Sequence, residues 1–190
     1  DQLIANLEPR AGADVLEIGC GTGRNLVHAA RLYPDIRFFG IDISTEMLTS
    51  AISAISRRDL AKRIRVAHGD GTAFNPQVSF GVARFDHVMI SYSLSMIPDW
   101  RRVLQAAASR LKPGGSLHIV DFGDQARLPA IARRLLRRWL TLFGVTPRDD
   151  LERELSAMVE TSGAELKFER PFRGYAQYAV LTLPPERKTA

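Results

Sequence analysis

Leu16-Glu17-Ile18-Gly19-Cys20-Gly21-Thr22-Gly23 is the stretch on which the fold turns. Three glycines at alternate positions follow an apolar run that begins at Val15, and a helical pattern continues over roughly Gly23–Leu32. Gly19 and Gly21 let the backbone turn sharply and approach a ligand with no Cβ in the way, while the helix that follows offers unpaired N–H groups. A turn of this kind between strand and helix suits a nucleotide or a carboxylate. Asp42 ends the next apolar run about 20 residues further on, where a carboxylate can accept both hydroxyls of a ribose. Two residues speak against a pyrophosphate. A dinucleotide fingerprint asks for a further glycine where the chain has Arg24, and Glu17 places an acid inside an apolar strand, which is costly unless a cationic group requires it. A cofactor with its own ammonium and sulfonium, S-adenosylmethionine, meets that requirement. The structural alternative is an edge-exposed or backbone-paired Glu17, and the rival function is a nicotinamide-dependent oxidoreductase.

Working outward, short apolar runs alternate with helical patterns, the order expected of a parallel sheet covered on both faces. Val15–Ile18, Arg37–Ile41, Ile64–Ala67, Phe85–Ile90 and Ser116–Val120 read as strands. Helices are expected at Gly23–Leu32, Thr45–Arg57 and Asp99–Leu111, with Ser44 as a cap and Lys112-Pro113-Gly114-Gly115 as a helix stop and turn. An arginine-rich helix and a helix over Arg148–Thr161 follow, then β-segments at Glu165–Glu169 and Tyr175–Leu183, with a frayed tail over Pro184–Ala190.

The chain has 190 residues, 45% hydrophobic and 25% charged, enough for one well-buried core, and it shows no repeat or linker, so residues 1–190 read as a single domain. It opens at Asp1 in a helical pattern, Asp1-Gln2-Leu3-Ile4-Ala5-Asn6-Leu7, from which we expect that an N-terminal segment precedes it. A single cysteine, Cys20, excludes an internal disulfide and a cysteine-rich zinc site, so we expect no metal and a cytoplasmic location. No apolar run reaches the length of a membrane span, and no secretory signal is present. Six arginines (127, 133, 134, 137, 138 and 148) lie between Arg127 and Arg148 with no acid among them. They exceed the whole chain's net charge of +5, so the basic character is local and the remainder is close to neutral.

Together these features resemble the class I, Rossmann-like, S-adenosylmethionine-dependent methyltransferases through almost the whole chain. Leu16–Gly23 is similar to that family's first motif, Asp42 to its ribose-binding acid, and His68-Gly69-Asp70-Gly71-Thr72 to its adenine-edge motif. Phe85–Ser91 resembles its fourth strand and Leu111–Leu117 its approach to the fifth. The resemblance implies an α/β fold with seven strands in the order 3-2-1-4-5-7-6, the last antiparallel, and helices on both faces. It implies a cofactor cradle of Glu17, Gly19, Cys20 and Gly21 at the methionine end, Asp42 at the ribose, Ile43 and Met47 against the adenine, Asp70 and Gly71 at its polar edge, and the Ser91 carbonyl facing the methionine end. S-adenosyl-L-homocysteine is the implied product. Phe39–Ser44, Ile90–Trp100, His118–Gln125 and Arg173–Ala176 further resemble the bacterial diacylglycerylhomoserine N-methyltransferases of betaine lipid synthesis, although the tyrosine-rich lead segment of that group is absent.

That second resemblance implies a lipid-headgroup amine as acceptor, methylated to a betaine lipid. Ligands sit beyond the carboxyl ends of strands in such sheets, which nominates Tyr92 as a ring face or phenolic oxygen and Asp121 as a counter-charge for the amine. The alternatives are that Tyr92 packs on the cofactor and Asp121 caps a helix. His87 and His118 read as core histidines or a base, and Tyr175 as a residue closing the pocket. The turn after the fourth strand, Ser91-Tyr92-Ser93-Leu94, lacks the acidic-or-Asn-Pro-Pro-aromatic pattern of DNA amino-methyltransferases, so no nucleic-acid partner is expected. On a wheel of about 100° per residue, Leu128, Ile131, Leu135, Leu136, Trp139, Leu142 and Phe143 share an arc of about 140°, with the arginines opposite. This basic amphipathic insertion, at about 126–146, suits an anionic membrane through Arg133, Arg134, Arg137 and Arg138, giving a peripheral location. An ordinary surface helix is the alternative, and arginines binding an anionic headgroup are a third reading. Phosphatidylethanolamine N-methylation, quinone or small-molecule methylation, and a non-catalytic cofactor-binding module remain as rivals.

Overall fold

The computed structural model describes residues 2–126 and 128–186. Its strands are β1 (Asp14–Ile18), β2 (Arg37–Asp42), β3 (Ile64–His68), β4 (Phe85–Ser91), β5 (Leu111–Phe122), β6 (Glu165–Glu169) and β7 (Ala176–Thr182). The helices are α1 (Gln2–Ala5), α2 (Arg24–Leu32), α3 (Thr45–Ser56), α4 (Pro76–Phe80), α5 (Trp100–Ser109), α6 (Ala130–Leu142), α7 (Leu151–Ser162) and α8 (Pro171–Gly174). One sheet results, ordered β3-β2-β1-β4-β5-β7-β6, parallel except for β7, which runs antiparallel to both β5 and β6. This is the expected α/β architecture.

Strand alternation separates two cores. Leu16, Ile18, Phe39, Ile41, Val88, Ile90, Leu117 and Ile119 point to one face, where Val103 and Leu104 of α5 and Leu151 and Leu155 of α7 cover them. Val15, Phe38, Met89 and Tyr178 point to the other, beneath Leu26 and Ala30 of α2, Leu48 and Ile55 of α3, and Leu3 and Ile4 of α1. Fully buried side chains such as Phe38 and Phe85 each contribute about 1.5–3 kcal/mol by leaving water.

Three elements differ from the expectation. The helix expected to reach Leu111 stops at Ser109, and β5 already starts at Leu111, running through Lys112-Pro113-Gly114-Gly115 with an irregular register against Phe85 and His87. The strand partner overrides a locally turn-like sequence. The helix expected from Arg148 begins at Leu151 because Arg148 is held elsewhere: its guanidinium donates to the carbonyls of Leu94 (3.1 Å) and Ile97 (2.7 Å). The helix α6 departs from the surface-helix alternative, which would lay its apolar arc on the sheet. Leu140 is buried, whereas Ile131, Leu135, Trp139, Leu142 and Phe143 are 54% to 78% exposed. Arg137 points inward, donating to Asp149 (2.7 Å), the Gln125 side chain (3.1 Å) and the Asp124 carbonyl (3.0 Å). Of the expected basic face, Arg137 is thus a structural residue, Arg133, Arg134 and Arg138 are exposed, and Arg127 lies outside the described residues.

Candidate functional site

The carboxyl ends of β1, β2 and β4 converge on the glycine turn. Gly19 sits at φ +73°, and a Cβ there would lie 2.6 Å from Ser93 Cβ, so the close approach of the turn to the loop after β4 requires glycine. Ser93 closes the same contact by donating its hydroxyl to the Ile18 carbonyl (3.1 Å). A Cβ on Gly21 meets no atom within 4 Å, which leaves open space on the ligand side of the turn.

Glu17 is the least satisfied group in this neighbourhood. It is almost fully buried in β1; Asn25 Nδ2 donates to its Oε1 (2.8 Å), while Oε2 is buried with no partner. Burial raises its pKa to about 8, with the Asn25 bond acting in the opposite direction and the Asp42 charge adding to the rise. A buried carboxyl oxygen with no partner, near a second acid, fits a cationic group. Cys20 is buried with its sulfur against Gly40, and burial together with the charges of Glu17 and Asp42 drives its thiol pKa far upward. Only its backbone is available to a ligand.

Asp42, at the end of β2, accepts from Gly21 N (2.7 Å) on one oxygen and Ser44 N (2.9 Å) on the other, which ties the turn after β1 to the cap of α3. Immediately beyond, Ile43 and Met47 present exposed apolar surfaces of the kind an adenine ring would cover. Asp70 accepts from Thr72 N and Thr72 Oγ1 on a single oxygen (2.8 Å each), bonds that hold its pKa below the usual carboxylate value, and its other oxygen remains free. Gly71 packs against Ile18 so closely that a Cβ would fall 2.8 Å from Ile18 Cγ2. These residues, contributed by four strand ends, fit S-adenosylmethionine: a cationic end at Glu17, hydroxyls at Asp42, a ring between apolar side chains, and an amino edge at Asp70.

The acceptor side departs further from expectation. Asp121 is wholly buried; its Oδ2 accepts from Ser95 N (3.0 Å) and its Oδ1 from Phe122 N (2.7 Å). Burial raises its pKa, and the hydrogen bonds from Ser95, Phe122 and Leu94 oppose that. It therefore caps the 3-10 turn at Leu94–Met96 and positions that loop. Of the two readings of Asp121, the cap is the one these bonds support. Tyr92 is partly exposed, with φ +51°, and lines a cleft of about 400 Å3 together with Ser91, Asn25, Phe172, Ala176 and Tyr178. No carboxylate lines that cleft. His118 belongs to a buried chain in which Ser116 Oγ lies 2.7 Å from His118 Nε2 and 2.8 Å from His87 Nδ1. Burial lowers both imidazoles, His118 to about 3, so they stay neutral at physiological pH. Sequence reasoning nominated Ser93 and Phe122 only as parts of the loops after β4 and β5, and missed Asn25 and Phe172; a polar residue in the first turn of α2, facing the acid of β1, was the one legible signal.

Among the described residues no cluster of His, Cys, Asp and Glu could hold a metal, and no helix is long and apolar enough to cross a membrane. A family model described as a methyltransferase domain matches residues 15–115. The chain is 31% identical over 169 residues to the 27-O-demethylrifamycin SV methyltransferase of Amycolatopsis mediterranei, covering 87% of this chain and 60% of that protein. It is 31% identical over 111 residues to a demethylmenaquinone methyltransferase of Listeria monocytogenes, covering 58% of this chain and 45% of that protein. It thus spans roughly half the length of these curated relatives. The structure of Haemonchus contortus phosphoethanolamine N-methyltransferase 2 in complex with S-adenosyl-L-methionine superposes with a TM-score of 0.75 at 17% identity, over 97% of this chain and 52% of that one, a likeness of fold. With a matching family model across its glycine turn and strands, and a cleft whose donor set fits the cofactor, the chain belongs to the methyltransferase-domain family, the S-adenosylmethionine-dependent methyltransferases.

Proposed function

We propose that this protein transfers methyl groups from S-adenosylmethionine to the amine of a lipid headgroup at a membrane surface, with diacylglycerylhomoserine as the favoured acceptor and a trimethylated betaine lipid as product. Residues 1–190 then form one methyltransferase domain in which the segment at about 126–146 is a basic amphipathic insertion, and the location is cytoplasmic and peripheral. The observation that carries the reading is α6. Four large apolar side chains of this helix and Phe143 at its C-cap face solvent, and the Trp139 and Phe143 rings meet tilted at 57° with 4.9 Å between centroids. Arg133, Arg134 and Arg138 are exposed on the same helix with no ion pair among the described residues. An anionic bilayer buries such a stripe and pairs such arginines. Arg137 anchors the helix to the loop directly after β5, so docking through α6 brings lipid headgroups to the carboxyl ends of the strands.

The bound cofactor supplies a methyl group already activated on a sulfonium. The chain's own part is positional: Glu17, Gly19, Cys20, Gly21 and the Ser91 carbonyl hold the methionine end, Asp42 the ribose, Ile43, Met47, Asp70 and Gly71 the adenine, and Tyr92 the approach to the acceptor. With no carboxylate lining the cleft, an ammonium gives its proton to water before its nitrogen attacks the methyl group. A second reading, methylation of a quinone or other apolar small molecule, is favoured by the largely apolar cleft lining and by the names of the curated relatives. The test offers labelled S-adenosylmethionine with diacylglycerylhomoserine, phosphatidylethanolamine or demethylmenaquinone in mixed micelles and analyses the lipids by mass spectrometry. Label in the homoserine lipid is expected; label in the quinone alone would overturn the amine reading. Replacing Arg133, Arg134 and Arg138 with Gln, and Ile131 and Leu142 with Ser, is expected to abolish sedimentation with phosphatidylglycerol vesicles, and unchanged sedimentation removes α6 as the contact.

A further inference from the structure

Three aromatic rings from three separate chain segments meet beside the cleft. Tyr92, after β4, and Phe122, the last residue of β5, lie 5.1 Å apart between centroids with planes at 64°. Tyr175, just before β7, lies 5.9 Å from Phe122 at 79°. The rings stand nearly perpendicular to one another like walls, and both tyrosines are more than a third exposed.

The backbone holds the walls in place. Tyr92 N donates to the Val120 carbonyl (2.8 Å), Gly123 N to Tyr175 O (2.9 Å) and Gln125 N to Gly174 O (2.8 Å). A Cβ on Gly123 would collide with the Gly174 carbonyl oxygen, so the loops touch backbone to backbone. Among the described residues, three of the five non-glycine residues at positive φ are Tyr92, Gln125 and Phe172, all in these three segments. Strained backbone retained in converging loops marks a site whose geometry matters more than its local cost.

We infer that Tyr92, Phe122 and Tyr175 form an open aromatic clamp for a methylated ammonium, selecting for the more highly methylated amine. This rests on the amine reading above and deepens it. A primary ammonium brings N–H donors that need acceptors; the ring faces supply none, and the cleft beside them, lined also by Arg24, offers only the neutral oxygens of Asn25, Ser91, Tyr92 and Tyr178. Each methyl added replaces a donor with apolar surface while the positive charge remains, so cation–π attraction and burial both improve across the series. An enzyme with this clamp holds its partly methylated intermediates more firmly than its starting amine, which favours completion of successive transfers.

The clamp is tested without turnover, by ligand-observed NMR titration of the S-adenosylhomocysteine-loaded protein with choline, ethanolamine and 3,3-dimethylbutan-1-ol, the neutral isostere of choline. Choline is expected to bind about tenfold more tightly than either of the others. Tyr175→Leu and Tyr92→Leu, which keep apolar bulk but remove a ring, are each expected to erase that preference, with unchanged S-adenosylhomocysteine affinity of Tyr175→Leu and an unchanged circular-dichroism melt of Tyr92→Leu showing that the variants are folded. Equal binding of choline and its isostere, equal binding of ethanolamine, or an intact preference in both variants overturns the clamp. A wild-type preference for choline in a protein that methylates no amine lipid would leave the clamp standing and refute the amine reading; amine methylation without the preference does the reverse.

Discussion

Glu17 makes a quantitative demand on the cofactor-free protein. Its pKa rises from 4.5 to about 8 because burial in β1 penalises the charge. Below pH 4.5 the carboxyl is protonated whether the chain is folded or not, and its contribution to stability is fully present. As pH climbs, the unfolded chain ionises first and binds fewer protons than the folded one, so stability falls until the folded-state carboxyl also ionises near pH 8. At about 1.4 kcal/mol per pH unit, the interval from 4.5 to about 8 gives a loss on the order of 5 kcal/mol. Glu17→Gln removes this loss. Its Tm is expected to exceed that of the wild type at pH 8 and to converge with it at pH 5, with the wild-type-minus-variant difference isolating this one group.

The same residue should reveal itself in ligand binding. Near pH 7 the free protein holds about nine-tenths of a proton on Glu17. An ammonium docking against the orphaned Oε2 stabilises the ionised form, so binding of S-adenosylhomocysteine should release close to one proton. Calorimetry in buffers of different ionisation enthalpy measures that release directly. A heat independent of buffer, or equal proton release by Glu17→Gln, would show that the acid does not face the ligand and would remove the electrostatic argument for the cofactor's cationic end. The variant is also expected to bind S-adenosylhomocysteine about 10- to 100-fold more weakly, the worth of one hydrogen bond to a charged group.

Two further substitutions separate the cofactor side from the acceptor side. Asp42→Ala deletes the oxygens expected to meet the ribose and also releases Gly21 N, so S-adenosylhomocysteine affinity should fall by about 100-fold or more; unchanged affinity by calorimetry places the ribose elsewhere. Asp121→Ala leaves the backbone N–H groups of Ser95 and Phe122 without their acceptor, at about 1–3 kcal/mol each where buried. Tm should drop by about 2–4 °C for each kcal/mol lost. If instead Tm is unaffected and only the KM for the acceptor rises, Asp121 touches the amine after all and its assignment as a loop cap is wrong.

The cofactor side was readable because each of its parts lies within one strand end and the turn after it. Gly19 and Gly21 follow Glu17 directly, Ile43 and Met47 follow Asp42, and Gly71 follows Asp70, so local spacing already carries the chemistry. The acceptor side offers no such local grouping. Asp121 looked like a free acid at a strand end because its partners, the N–H groups of the turn at Leu94–Met96, come from another loop. Nothing in the sequence around Phe122 reports that antiparallel pairing of β5 with β7 delivers Tyr175 to its edge. A helical wheel likewise sorts α6 into an apolar arc and a basic arc, yet cannot say which arc faces inward; Arg137, reaching Asp149 and the loop after β5, sets that orientation.

This division has a consequence for specificity. The residues proposed to meet acceptor and membrane lie on α6, α8 and the loops after β4 and β5, which contact the sheet mainly through backbone hydrogen bonds and single anchors such as Arg137 and Arg148. Altering them leaves both buried cores intact, because the core side chains of α2, α3, α5 and α7 lie elsewhere. Altering the glycine turn does not, since Gly19 and Gly71 already pack against Ser93 and Ile18 within the sheet's own layers. The fold therefore constrains the methyl donor tightly and the methyl acceptor loosely. The matching methyltransferase-domain model carries the first to this chain, and the second has to be argued from its own exposed rings and helix.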